Sequence, residues 1–171
     1  MSTFAPALDF VLDNEDRERK YALVPDAPPG AHAISGINSA AYPEQFAQIA
    51  ATPQAQRGPA IANFYLTEFW NPLGVSGINS QDVANRVLDQ AVNGGLKSGG
   101  TLLQIAADAC GSSLVIDGSI GPNTIKVINA LDPAALLKAF QTARINHYKA
   151  IAAHNPADQK YLSEWLARAS Q

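Results

Sequence analysis

The sequence predicts a mainly α-helical fold with a small irregular or β element near residues 21–39. Apolar residues recur at helical spacing along most of the chain, and this period of about 3.6 residues is the primary signal of amphipathic helices. Residues 21–39 interrupt the pattern with prolines and glycines, which favour turns and irregular backbone. The chain has 171 residues and is 47% hydrophobic, so it can bury a core.

The first predicted helix leads from a capping residue to an acidic side chain. Ser2 or Thr3 is suited to cap its start, because a hydroxyl oxygen can accept from the free amides of the first turn. Its apolar stripe consists of Phe4, Leu8, Val11 and Leu12. One further turn places Glu15 on the same face. The charged residues that follow, including Asp16 and Glu18, mark the end of the helix and are expected to face solvent.

The later helices are predicted from the same periodicity and from their end signals. They lie near residues 42–51, 60–70, 80–93, 99–110, 121–131, 133–153 and 156–169. Ser80 or Asn79 is suited to cap the helix that begins there, and Asp132 with Pro133 starts the longest one. Only residues 114–116 resemble a strand.

Composition and residue spacing exclude several classes of site. The formal net charge of −3 gives no sign of a surface for nucleic acid. The single cysteine, Cys110, rules out an intramolecular disulfide, and we expect it to be a buried, inert thiol. His32, His147 and His154 are too dispersed for a metal-ligand pattern, so we expect no metal and no cofactor.

The chain shows neither a targeting segment nor a membrane segment. Its first residues lack the basic and apolar regions of a signal peptide. No apolar run approaches the roughly 20 residues that span a bilayer. We therefore expect synthesis in the cytoplasm and no membrane insertion, with transport to the site of action by another route.

Five segments occur in an order that is typical of one enzyme family. They read ALDFVLDNE, IANFYLTEFWNPL, VLDQAVNGG, IDGSIGPNTIKVINALDP and YLSEWLARA. Together they resemble glycoside hydrolase family 108, N-acetylmuramidases of the secretion-activator type, with a C-terminal peptidoglycan-binding module. The resemblance implies a lysozyme-like fold in which residues 1–95 form the catalytic lobe. Residues 96–171 would form a helical peptidoglycan-binding module packed on that lobe as one compact unit.

Two motifs depart from the family pattern. The family's E-G-G-Y reads EDRE here, at residues 15–18, so charged side chains replace both glycines. Its D-P-G-G-x-T loop reads DAPPGAHA, with Ala33 at the threonine position and Ser35 nearby.

Glu15 is the predicted catalytic acid on two independent grounds. The resemblance assigns this role to the glutamate that follows the first apolar stripe. Periodicity also places Glu15 beside the apolar face, where partial burial would keep a carboxyl protonated, as proton donation to a glycosidic oxygen requires. The alternative is a surface carboxylate at the end of a helix.

Asp26 is the candidate for the second carboxylate, because it matches the family's loop aspartate best. It would either hold the attacking water or stabilise the positive charge of the transition state. The alternative is that Asp26 serves only the turn chemistry usual beside prolines.

Four further residues are predicted to contact the sugar, namely Tyr42, Tyr65, Trp70 and Asn93. Aromatic faces and planar amides are typical of saccharide sites. Tyr65 and Trp70 could equally belong to the core, and Asn93 could simply end its helix before two glycines.

The sequence therefore favours a monomeric N-acetylmuramidase whose partner is bacterial peptidoglycan. It would cut the β-1,4 bond between N-acetylmuramic acid and N-acetylglucosamine as a phage endolysin or a secretion-associated enzyme. It would act in the periplasm or cell wall after holin-type or specialised export. The alternatives are a peptidoglycan-binding protein with a decayed catalytic centre, and an interaction module on the same fold.

Overall fold

Helices form most of the computed structural model, which describes residues 1–171. They are α1 (Phe4–Glu15), α2 (Pro43–Ala51), α3 (Gly58–Tyr65), α4 (Asn71–Leu73), α5 (Gln81–Gly94), α6 (Leu96–Ala109), α7 (Pro122–Ala130), α8 (Pro133–His154) and α9 (Leu162–Ala169). No helix has the combination of length and apolar character needed to cross a membrane. The predicted mainly α, lysozyme-like fold is confirmed.

The predicted β element is a three-stranded antiparallel sheet. Its strands are β1 (Leu23–Asp26), β2 (Ala31–Ile34) and β3 (Ile37–Asn38), and they lie in the order β1-β2-β3. β1 is exposed along its whole length, whereas β2 is mostly buried. The sheet therefore extends outward from the helices, with β2 as its inner strand.

A tight turn at Ser35 and Gly36 joins β2 to β3. Both residues have positive φ, +48° for Ser35 and +79° for Gly36, and two such residues are what a type I′ hairpin turn requires. Ser35 adopts this conformation between two contacts: its hydroxyl donates to Asp16 Oδ2 at 2.7 Å, and its carbonyl accepts from Tyr65 Oη at 2.7 Å. The turn is thereby fixed against the ends of α1 and α3.

The start of α1 differs from the prediction. Thr3 occupies the capping position but its side chain makes no capping hydrogen bond. The hydroxyl of Ser2 instead donates to the carbonyl of Val75 at 2.9 Å, and the amide of Thr3 donates to Gln81 Oε1 at 2.8 Å. The predicted cap is wrong because tertiary contacts with distant residues satisfy these groups.

Three other local predictions need correction. Residues 114–116 form no strand, and Val115 and Ile116 are 77% and 50% exposed. The helix expected over 60–70 ends as α3 at Tyr65 and continues as a π-helical turn over Leu66–Trp70. Cys110 is half-buried rather than buried.

One hydrophobic core extends through both halves of the chain. It joins Val11 of α1 and Leu88 of α5 to Leu103 of α6 and Phe140 of α8. α5 lies in the middle, in contact with α1, α6 and α8. Because neighbours surround it, α5 buries polar side chains as well as apolar ones. The boundary between two units at residues 95 and 96 stays a prediction.

Candidate active site

Glu15 is the last residue of α1, and its side chain is 18% exposed. Its Oε1 atom forms an ion pair with Arg168 Nη2 at 2.7 Å. Arg168 belongs to α9, near the C-terminus of the chain. The predicted acid therefore lies at the margin of the core, with one carboxyl oxygen held by a cation.

The second carboxyl oxygen of Glu15 faces the turn between β2 and β3. A Cβ atom placed on Gly36 would lie 2.5 Å from Glu15 Oε2 and 2.9 Å from Tyr65 Oη. The fold thus brings Glu15 and Tyr65 together at a glycine. Burial, and then the charge of Glu15, raise the pKa of Tyr65 well above 10.0, so this hydroxyl remains a donor to Ser35.

A buried cluster of charges lies behind Glu15. Asp89 of α5 is fully buried, and its Oδ1 accepts from Arg168 Nε at 3.0 Å and Nη2 at 2.8 Å. Its Oδ2 accepts from Arg144 Nη2 at 2.7 Å, and Asn14 Nδ2 donates to Oδ1 at 3.0 Å. The carboxylates of Glu15 and Asp89 therefore balance the charges of the Arg144 and Arg168 guanidiniums. Buried charges persist only when they are paired in this way.

The cluster continues to the predicted sugar ligand Asn93. Gln90 Oε1 accepts from Arg144 Nε at 2.9 Å and from Tyr148 Oη at 2.9 Å. Asn93 Nδ2 donates to Tyr148 Oη at 2.7 Å, and Asn93 itself is exposed. Asn93 is thus linked to the Glu15 cluster through buried side chains, and its contact with a sugar stays a prediction.

Sequence reasoning missed the two arginines of this cluster. Arg168 lies in the segment YLSEWLARA, whose resemblance to the family gives the arginine no role. Arg144 is 1% exposed and lies on the apolar face of α8, which also carries Phe140 and Tyr148. A charged residue on the apolar face of a helix is the pattern that indicates such a partner.

Asp16, which was expected to face solvent, is instead half-buried beside Glu15. It occupies the C-cap position that follows α1 and accepts hydrogen bonds from the Ser35 hydroxyl and from the amides of Lys20 and Tyr21. Burial acts to raise the pKa of Asp16, but these hydrogen bonds outweigh it and lower the pKa below 3.8. The charged side chain that replaces a family glycine thus fastens the Ser35 turn.

Replacing Asp16 with Asn should make stability less sensitive to acid. Because the folded-state pKa is lowered, the ionised form of Asp16 contributes stability above its ordinary value of 3.8, and this contribution is lost as pH falls through the folded pKa. We expect the native protein to lose stability more steeply than Asp16→Asn below about pH 4. Urea unfolding from pH 7 to pH 2 measures both slopes, and equal slopes would contradict the assignment.

Asp26 lies apart from Glu15, at the exposed end of β1. Its Oδ2 accepts from Asn38 Nδ2 at 2.7 Å, and its Oδ1 accepts from the amide of Ala27 at 2.8 Å. No hydrogen bond or ion pair joins Asp26 to the Glu15 cluster. Its contacts stabilise the loop between β1 and β2, and a catalytic role stays a prediction.

The remaining aromatic candidates pack against other rings. Trp70 is 5% exposed, with its ring centroid 5.8 Å from that of Phe4. Tyr42 is half-buried and meets Phe64 edge to face at 4.8 Å. Tyr65 and Trp70 therefore belong to the core, as the alternative reading allowed, and Tyr42 keeps an exposed part that a ligand could reach.

A separate cavity of about 510 Å³ opens where the two halves of the chain meet. Pro72, Leu73, Leu96 and Lys97 line one part of it, and residues 117–121 line the rest. No hydrogen bond or ion pair joins these residues to Glu15. The cavity is therefore not part of the Glu15 cluster.

Comparison with known proteins identifies two family segments. Residues 8–95 match the family described as Glycosyl hydrolase 108, and residues 99–170 match the family described as Predicted Peptidoglycan domain. No curated protein matches the chain at a significant level. The two segments together support a glycoside hydrolase of the muramidase type that acts on peptidoglycan.

A solved structure of Brucella abortus SagA has a similar fold. The TM-score is 0.65 at 20% sequence identity, and the match covers 97% of this chain and 92% of that one. This likeness concerns the fold alone. The resemblance inferred from sequence motifs is confirmed by the family matches, the first of which covers half of the chain, and the protein belongs to the glycosyl hydrolase 108 family.

Proposed function

We propose that this protein is an N-acetylmuramidase that hydrolyses the β-1,4 bond between N-acetylmuramic acid and N-acetylglucosamine, with Glu15 as the general acid. The observation that carries the proposal is the position of Glu15. Its side chain is 18% exposed at the end of α1, in the part of the chain that matches Glycosyl hydrolase 108. The Oε2 atom faces Gly36, outside the ion pair with Arg168.

The proposed step transfers a proton from Glu15 Oε2 to the glycosidic oxygen as the bond to the anomeric carbon breaks. Water then supplies a hydroxyl group to that carbon and returns a proton to the enzyme. A bound glycan would cover the Glu15 carboxyl and bring its glycosidic oxygen within hydrogen-bond reach of Oε2. Asp26 would hold the water or stabilise the positive sugar ring, at the outer edge of the sheet.

The substrate surface would include the exposed polar parts of Tyr42 and Asn93. The segment that matches Predicted Peptidoglycan domain, residues 99–170, would add affinity for the polymer. An endolysin or a secretion-associated enzyme would reach this substrate after holin-type or specialised export. The proposed unit is a monomer.

A second candidate function is peptidoglycan binding without catalysis. The surroundings of Glu15 favour it, because Arg168 holds Oε1 and Oε2 faces Gly36, so both carboxyl oxygens lie against groups of the protein itself. The charged residues Asp16 and Arg17, in place of the family's two glycines, also favour it.

Product analysis separates the two functions. Purified sacculi are incubated with the native protein, and released fragments are reduced with borohydride and identified by mass. Fragments that end in muramitol are expected from a muramidase, whereas glucosaminitol ends would show that a different bond is cut. Sedimentation of the protein with intact sacculi, without released fragments, would instead establish the binding function.

Replacing Gly36 with Ala should sharply reduce fragment release. The new methyl group would displace Glu15 Oε2, and a misplacement of about 1 Å can cost roughly 10²-fold in rate. Gly30→Ala is the matched control, because Gly30 also has positive φ, +91°, but has open space around the added atom. In both variants an alanine must adopt a positive φ, so the backbone strain is shared. Only Gly36→Ala adds a clash with Glu15, so only this variant should lose activity per folded molecule. Equal rates for the two variants would contradict the proposed place of Glu15 Oε2.

A further inference from the structure

We propose that Arg168 is a positioning residue that holds Glu15 in the orientation for proton transfer, so that the C-terminal part of the chain completes the catalytic site. This inference rests on the proposed function. Arg168 lies in the segment that matches Predicted Peptidoglycan domain, whereas Glu15 lies in the segment that matches Glycosyl hydrolase 108. A residue that positions the acid would thereby lie in the segment whose family description concerns peptidoglycan and not glycoside hydrolysis.

Asp89 sets the orientation of the Arg168 guanidinium, independently of the contact with Glu15. Its Nε and Nη2 atoms donate to the same oxygen of Asp89, at 3.0 and 2.8 Å, and its side chain is 13% exposed. Because a guanidinium is planar and its donors are rigidly arranged, two hydrogen bonds to one carboxylate determine its orientation. Nη2 then meets Glu15 Oε1 at 2.7 Å.

The anchor of Arg168 is itself immobile. Asp89 is fully buried in α5, and Arg144 holds its other oxygen at 2.7 Å. Burial acts to lower the pKa of Arg168, but Asp89 and then Glu15 outweigh it and raise the pKa. Arg168 therefore stays cationic at any working pH, and a rigid chain of contacts leads from the central helix to the proposed acid.

This contact distinguishes the two oxygens of Glu15. Oε1 is held by Arg168, and Oε2 is directed towards Gly36. Without the ion pair, the carboxyl group could rotate about its last side-chain bond. The acid would then be aligned with the glycosidic oxygen for only part of the time, which lowers the rate of the chemical step more than the affinity for substrate.

The test compares Arg168→Met and Arg168→Lys with Arg86→Met. Arg86 is the matched control because it also joins α5 to the C-terminal segment: its Nε and Nη2 donate to the main-chain oxygen of Gln171 at 3.0 and 2.6 Å, and no hydrogen bond or ion pair joins it to Glu15. Soluble peptide-free glycan strands serve as substrate for kcat and KM. Circular dichroism and thermal unfolding give the folded fraction by which each kcat is corrected.

We expect kcat of Arg168→Met to fall about 30- to 100-fold, with KM changed less than about 3-fold. Arg168→Lys should lie between Met and the native protein, about 5- to 20-fold below native, because an ammonium keeps the charge but lacks the two-pronged geometry. Arg86→Met should keep native kcat within about 2-fold.

Native kcat in the folded Arg168→Lys and Arg168→Met variants would overturn the positioning role. If Arg168→Met does not fold, the kcat of Arg168→Lys decides alone. Loss of activity in Arg86→Met equal to that in Arg168→Met would also overturn the role, because any link to the C-terminus would then have the same effect. A native protein that releases no fragment refutes the proposed function itself, and the inference with it. The two failures are distinguishable: if the native protein is active and only the positioning role is wrong, the Arg168 variants keep native kcat; if the proposed function is wrong, the native protein itself is inactive.

Discussion

Glu15→Gln should reduce fragment release from sacculi by about 10²- to 10⁴-fold, the usual contribution of a general acid. Glutamine has nearly the same size and can still accept from Arg168, but it has no proton to give to the leaving oxygen. Arg168 keeps its two hydrogen bonds to Asp89, so the surrounding cluster remains paired. The loss should therefore appear in the rate and not in the fold.

Glu18→Gln is the matched control for this substitution. Glu18 lies three positions further on, its side chain is 68% exposed, and its ion pair with Lys20 lies on the surface. Rates of turbidity loss give the activity of each variant, and sedimentation with sacculi gives its binding. We expect the control to keep the native rate and both variants to bind. If Glu15→Gln retained half of the native rate, another group would have to be the acid.

Asp89→Asn should destabilise the fold by about 3–5 kcal/mol, the cost of breaking a buried ion pair from one side. The carboxylate of Asp89 accepts from two arginines, and Arg144 is 1% exposed with its Nη1 atom already lacking a partner. An amide in its place would leave the Arg144 guanidinium buried without a counter-charge. Its single amide oxygen could not hold both Arg144 and Arg168, so the orientation of Arg168 would be less fixed and activity should fall with stability.

Asp82→Asn provides the comparison on the same helix. Asp82 is 72% exposed and lies 4.0 Å from Arg86, one helical turn away. Exposed pairs of this kind contribute about 0–1 kcal/mol. Urea unfolding at pH 7 measures the free energy of unfolding for both variants. A loss of less than about 1 kcal/mol for Asp89→Asn would mean that the cluster relaxes around the amide.

Local signals predicted the helices well because helix ends depend on neighbouring residues. Ser80 caps α5 by accepting from the amide of Val83, and Asp132 caps α8 by accepting from the amide of Ala135. Each cap needs only a side-chain oxygen and an amide a few positions away. At Ser2 the same rule failed, because its hydroxyl found a partner 73 positions distant.

The candidate site depended on contacts between remote parts of the chain. Glu15 could be selected from its place at the end of an apolar stripe, since periodicity is a local property. Arg168 and Asp89 are 79 positions apart, and no local pattern relates them. The same holds for Gly36, whose closeness to Glu15 follows from the packing of the hairpin turn against α1 and α3.

The amino-acid sequence by itself determined the mainly helical class, the family and the choice of Glu15, because these follow from periodicity, helix ends and ordered motifs. Only the tertiary structure decided which groups surround Glu15. A buried charge cannot persist without a partner, so Asp89, Arg144 and Arg168 must meet wherever the helices that carry them pack together. Their meeting is a property of the packed core that no short stretch of sequence contains.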